Sequence, residues 1–169
     1  LDILWDYSDL FVLNISSPNT PGLRELQEED HLSKVLDACK DIRDRKHNFK
    51  PILLKFSPDM EDDLLLKSVE IAISSGIDGF VATNTTVSRY TPKNSQSRSV
   101  FAQKGGLSGR PLKARSLEVV NLLYEYTDSK IPIVGVGGID SVDSAWDMIN
   151  SGASLIQLYS ALVFQGPSI

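Results

Sequence analysis

Short apolar runs recur along this chain, separated by longer stretches whose apolar residues return every three or four positions. Residues 10–15, 51–56, 79–83, 131–135 and 155–159 are each nearly continuous in apolar side chains, the pattern of strands buried on both faces. Between them the period changes. Leu32, Val35, Leu36, Cys39 and Ile42 fall at helical spacing behind the acidic start Glu28-Glu29-Asp30, and Leu65, Val69, Ala72 and Ile73 do the same, with Gly76 placed as a stop. A further helix is expected over residues 115–126, and Ser141 is a plausible cap for Val142, Ala145, Trp146 and Ile149, which Gly152 ends.

Strictly alternating strands and helices imply a parallel α/β sheet with right-handed crossovers, because parallel neighbours need a return helix. All five predicted strands deliver polar or glycine residues to their C-terminal ends, as the mouth of a barrel requires, whereas an open doubly wound sheet gathers its site at one switch point. A (β/α)8 barrel needs eight strands. The chain is therefore expected to be a partial TIM barrel in which residues 1–169 form the C-terminal portion, the first strands and a last helix lying outside this sequence. A complete small α/β domain is the alternative.

Composition narrows the chemistry. With 17 basic and 22 acidic residues the chain carries a net charge of −5, which disfavours a nucleic-acid cradle. The single cysteine, Cys39, permits neither an internal disulfide nor a multi-cysteine metal site, and the two histidines sit in or near one polar helix. No apolar run reaches the roughly 18 residues needed to span a bilayer.

The richest stretch is 14–20, Asn-Ile-Ser-Ser-Pro-Asn-Thr, where the first strand empties into a loop. Ser17 lacks the flanking glycines of an acyl-transfer elbow and precedes Pro18, so it reads as a proton carrier, while Asn14 and Asn19 suit a planar polar ligand. Lys55 ends the second strand; it either reaches solvent or a salt bridge, or faces an anion at the mouth. Thr83-Asn84-Thr85-Thr86 places four hydrogen-bonding side chains after the third strand, more than a turn needs. Gly135-Val136-Gly137-Gly138-Ile139 follows the apolar run 131–134, and the stretch from Gly152 to Tyr159-Ser160 follows the next helix; such glycines serve either a tight turn or a phosphate. The one long connection, 84–110, is expected to be a lid over the mouth, with a solvated insertion as the plain alternative for 90–99.

These motifs, with Gly105-Gly106-Leu107-Ser108-Gly109-Arg110-Pro111-Leu112 and Gln157-Leu158-Tyr159-Ser160, resemble dihydroorotate dehydrogenase in order and approximate spacing, over nearly the whole chain. The resemblance implies an FMN-containing barrel that oxidises dihydroorotate to orotate in pyrimidine synthesis. Serine at position 17 resembles the membrane-associated class that passes electrons to a quinone, held at the mitochondrial inner membrane in a eukaryote or the cytoplasmic membrane in a bacterium by an N-terminal segment outside this sequence. On the resemblance, Ser17 is the base for the C5 proton, relayed through water or a hydroxyl such as Thr20. Asn14, Asn19, Asn84 and Thr85 grip the substrate, and Lys55 faces the flavin edge that gains charge. Asn14, Thr83, Asn84, Ser108 and Gly109 flank the flavin, while Gly137, Gly138, Tyr159 and Ser160 hold its phosphate. Residues 90–104 look longer than the family pattern. A different FMN barrel acting on uracil or uridine, and a non-catalytic phosphate-binding barrel, are the competing readings.

Overall fold

A computed structural model describes residues 1–20, 22–89 and 101–169. Five strands, β1 (Phe11–Asn14), β2 (Ile52–Phe56), β3 (Gly79–Ala82), β4 (Ile133–Val136) and β5 (Leu155–Gln157), lie in one all-parallel sheet. Their spatial order is their chain order, β1-β2-β3-β4-β5. A sequential order has no reversal and hence no switch point; it is the order of an arc taken from a barrel.

The helices are α1 (Glu29–Asp44), α2 (Asp62–Ser74), α3 (Lys113–Tyr126), α4 (Val142–Asn150) and the short α5 (Ser160–Gln165). Helix α3 lies on β3 and β4, α4 lies on β4 and β5, and α1 to α4 stack in succession. One parity of the strands faces them. Ile52, Leu54, Phe56, Phe80 and Ile133 are essentially inaccessible and pack with Leu32, Leu36, Leu65, Val69, Val119, Val120, Leu123 and Met148 of the helices. Each large side chain so buried contributes roughly 1.5–3 kcal/mol.

That parity locks the register. Sliding β2 by one residue would turn Leu54 outward and drive the Lys55 ammonium into the core, at a cost no local gain offsets. Local signals agree with the sequence at the helix ends. Ser141 caps α4 in a reciprocal capping box with Ser144, and Gly76, at φ 78°, closes α2 by accepting the left-handed turn that returns Ile77 N–H to Ala72 C=O at 3.0 Å.

Two expectations change. Burial on both faces holds for β2 and β3 but not for β1, β4 or β5, and every residue of β5 is exposed. β1 and β5 are the sheet edges, each with one neighbour, whereas β4 is paired on both sides and alternates buried with half-buried residues. Ser160, read as part of a loop, begins α5.

Candidate active site at the strand ends

The register places Asn14 beside Lys55 at the C-terminal ends of β1 and β2. Parallel partners point to the same face, so the amide and the ammonium share the side of the sheet that the helices do not cover. Lys55 is half-buried and finds neither hydrogen bond nor ion pair among the described residues; burial alone pushes its pKa below the ordinary lysine value. A structural lysine has a carboxylate or reaches water.

The next strand supplies a polar cluster. Asn84 Nδ2 donates to Asn14 Oδ1 at 2.9 Å and to Ser16 Oγ at 3.1 Å, and Asn84 Oδ1 accepts from Thr85 N–H at 2.8 Å. Asn14 and Asn84 thus fix each other's orientation across the mouth, with the fully buried Ser16 beneath them. Thr83 is also buried, its hydroxyl 3.1 Å from Ser116 Oγ on α3. Asn19 reaches across to the segment before α3, where its Oδ1 accepts from Gly106 N–H at 3.1 Å. Gly106 has to be glycine: a Cβ there would lie 1.8 Å from Thr85 Oγ1. That Thr85 hydroxyl is buried and has no hydrogen-bond partner among the described residues.

Lys55 and the residues after β3 face one cavity of ≈ 610 Å³. Its walls bring together Lys55, Thr83, Asn84, Thr85, Ser108, Gly109, Gly137, Gly138, Tyr159 and Ser160, with Leu112, Ile139 and Leu158 as the apolar part. Ser108 and Ser160 close one rim, their hydroxyls 2.7 Å apart. Gly137 and Gly138, at φ 132° and 72°, lie against α3, where a Cβ would fall 2.2 Å from Ser116 Oγ or 2.5 Å from Lys113 Cβ. Their N–H groups make no backbone hydrogen bond to the described residues. A neighbouring cavity of ≈ 630 Å³ differs in kind, since its cations are already engaged: Arg115 donates to Pro58 C=O and Met60 C=O and pairs with Asp62.

Three predicted residues stand outside the walls. Asn14 and Asn19 join the cavity through Asn84 and Gly106, and Ser17 lies on the flanking loop, its hydroxyl accepting from Asn19 N–H at 3.3 Å. That loop leaves an edge strand. Part of the expected lid, residues 90–100, lies outside the described residues; the remainder is anchored by Arg89, whose guanidinium donates to the carbonyls of Thr86, Ser88, Phe101, Gln103 and Gly105. Ser16 and Ser116 escape a reading of the sequence. Ser116 carries a signal all the same, a lone hydroxyl on the apolar stripe Leu112, Val119, Val120, Leu123.

Residues 2–169 match the family model described as dihydroorotate dehydrogenase. The chain belongs to the dihydroorotate dehydrogenase family. Among its relatives named dihydroorotate dehydrogenase (quinone), that of Trichodesmium erythraeum is 44% identical over 171 residues, covering 99% of this chain and 44% of that protein. That of Nautilia profundicola is 45% identical over 166 residues, covering 98% and 43%, and that of Yersinia pseudotuberculosis 42% identical over 173 residues, covering 100% and 51%. The ligand-free dihydroorotate dehydrogenase of Eimeria tenella superposes with a TM-score of 0.87 at 33% identity, over 95% of this chain and 48% of that one. The same enzyme in complex with ferulenol gives 0.86 at 32%, over 95% and 46%. The chain spans about half the length of the relatives it matches. Its five strands are thus part of a dihydroorotate dehydrogenase barrel, a family that is generally flavin-dependent. Among the described residues no helix is long and apolar enough to cross a membrane.

Proposed function

We propose that this chain is the C-terminal portion of a barrel that oxidises dihydroorotate to orotate through FMN and passes the electrons to a quinone, at a membrane where that acceptor partitions. The observation that carries the reading is the half-buried Lys55, without a partner among the described residues, in the same cavity as Gly137, Gly138 and Asn84, whose amide holds Asn14.

The residues fit a phosphorylated flavin. Two glycines whose N–H groups make no backbone hydrogen bond to the described residues suit a phosphate, the apolar wall of Leu112, Ile139 and Leu158 suits a ring system, and the buried Thr85 hydroxyl, without a partner among the described residues, suits a polar ligand atom. FMN, when bound, supplies the acceptor for the hydride leaving C6 of the substrate. The protein supplies the rest. Lys55 presents a fixed positive charge where negative charge accumulates, an effect strongest in a partly desolvated site. Asn14 and Asn84, each held by the other, meet the pyrimidine ring with orientations set before binding, and Asn19 and Thr85 complete its polar contacts. Ser17 takes the C5 proton, relayed onward through water or the neighbouring Thr20 hydroxyl. Gly137, Gly138, Tyr159 and Ser160 hold the phosphate, and Thr83, Ser108 and Gly109 flank the ring.

The full-length protein should be yellow, bleach when dihydroorotate is added without oxygen, and regain its colour with a quinone. Ser17→Ala should slow the bleaching by ~100-fold or more while orotate still perturbs the flavin spectrum at nearly the same concentration. A colourless, folded full-length protein would refute the proposal.

A further inference from the structure

Asp59 belongs to none of the roles above, yet two segments of the mouth, one before α1 and one after β3, meet at it. It follows β2, and its side chain is only 14% exposed. Its carboxylate accepts from the Thr86 hydroxyl, from Val87 N–H at 2.9 Å, from Arg24 Nη2 at 2.9 Å and from Ser88 Oγ at 3.5 Å. Burial pushes the carboxyl up, but the hydrogen bonds of Thr86, Val87 and Arg24, with the Arg24 charge, outweigh it and hold its pKa below the ordinary aspartate value. The group is an anion at neutral pH.

Each partner leads to a ligand-facing residue. Thr86 directly follows Asn84 and Thr85, and its main chain pairs in both directions with Leu107, at 3.1 and 2.7 Å. Leu107 follows Gly106, whose N–H holds Asn19 at 3.1 Å. Arg24 sits in the single turn Leu23–Gln27 a few residues beyond Asn19. The contacts therefore close a ring: Asn19 to Gly106, Leu107 to Thr86, Thr86 to Asp59, Asp59 to Arg24, and back along the chain to Asn19. All the other links of this ring are neutral or local to the main chain. Asp59 and Arg24 are its partly buried ion pair, and the carboxylate satisfies donors from two separate loops at once.

We propose that Asp59 is a positioning residue that sets the spacing between the Asn19 loop and the Asn84–Thr85 pair, and thereby the affinity of the mouth for its planar anionic ligand. The inference rests on the function proposed above, since orotate is the probe. Replacing the carboxylate with an amide removes acceptors and sets a donor against the Arg24 guanidinium, so the two loops lose their common anchor. Lys55 is held in the register of β2, the glycine seat follows β4, and neither bonds to the Asp59 carboxylate, so both keep their geometry.

The test uses the full-length flavin-loaded protein. In Asp59→Asn the orotate concentration needed to perturb the flavin spectrum should rise ~10-fold or more, with KM for dihydroorotate rising in parallel, kcat within ~3-fold of wild type and flavin content unchanged. Thr86→Val, which keeps the shape and removes one donor, should move orotate affinity and KM the same way by a smaller factor, and it decides the matter alone if Asp59→Asn does not fold. Unchanged orotate affinity in the folded variants overturns the proposal. So does a fall in kcat at constant KM, or loss of flavin together with orotate, which would make Asp59 a general support of the fold. Wild-type protein that binds flavin but not orotate defeats the functional reading itself and this inference with it.

Discussion

At the scale of single residues, Lys55 shows what the site asks of its protein. An ammonium without a partner is destabilising where it stands, and its lowered pKa is the record of that cost. The sign follows: the folded site disfavours the charged form, and the penalty is present at pH values below the folded pKa, where the group must be charged. Binding an anion relieves it. Orotate and flavin affinity should therefore weaken as pH rises through a Lys55 pKa that lies below the ordinary lysine value, and Lys55→Arg, which stays charged, should flatten that part of the profile in a spectral titration. Lys55→Met should melt no lower than wild type without ligand, while losing much of its affinity for the anion. Ser16 makes the opposite case. Its hydroxyl is buried and takes the second hydrogen of Asn84 Nδ2, so Ser16→Ala should cost about 1–2 kcal/mol in denaturant unfolding. Lys55 stood out in the sequence because a cation ended an apolar run. Ser16 did not, since a buried serine and a surface serine are the same letter.

At the scale of elements, helices and strands were legible because each buries a face whose period the sequence repeats. Boundaries moved by a residue or two, as when α3 begins at Lys113 and β1 ends at Asn14. What the pattern could not reveal was which glycines are packing devices. Gly135 in β4 lies where a Cβ would meet Met148 Cγ at 2.4 Å and Ala153 Cβ at 3.0 Å, so α4 rests directly on the strand's main chain. Gly135→Ala should cost about 1–3 kcal/mol of stability by overpacking, measurable as a lower denaturation midpoint, and should loosen the loop that carries Gly137 and Gly138. In the sequence Gly135 and its neighbours formed one glycine cluster; the structure divides it into a packing glycine in the strand and two turn glycines whose N–H groups remain free.

At the scale of the whole molecule, the five strands end with β1 and β5 as edges, and Trp146 on α4, 60% exposed, lines an apolar hollow with Ile156 and Leu158 of the β5 segment. Edges and apolar faces of this size invite association. Hydrogen exchange should show the outward amides of β1 and β5 exchanging quickly in residues 1–169 alone and slowly in the full-length barrel, while β2 and β3 stay protected in both. Equal protection of the edge strands in the two forms would mean the sheet is not completed by further strands. The order of strands, the parallel sheet, the family and most of the polar residues at the mouth were determined by the sequence alone, because hydrophobic period and local motif are properties of neighbours along the chain. Only the tertiary structure decided that Lys55 has no partner, that Asn14 and Asn84 hold each other, and that Asp59 joins loops from two different strands. Those facts depend on distances between residues far apart in sequence, which no local pattern encodes.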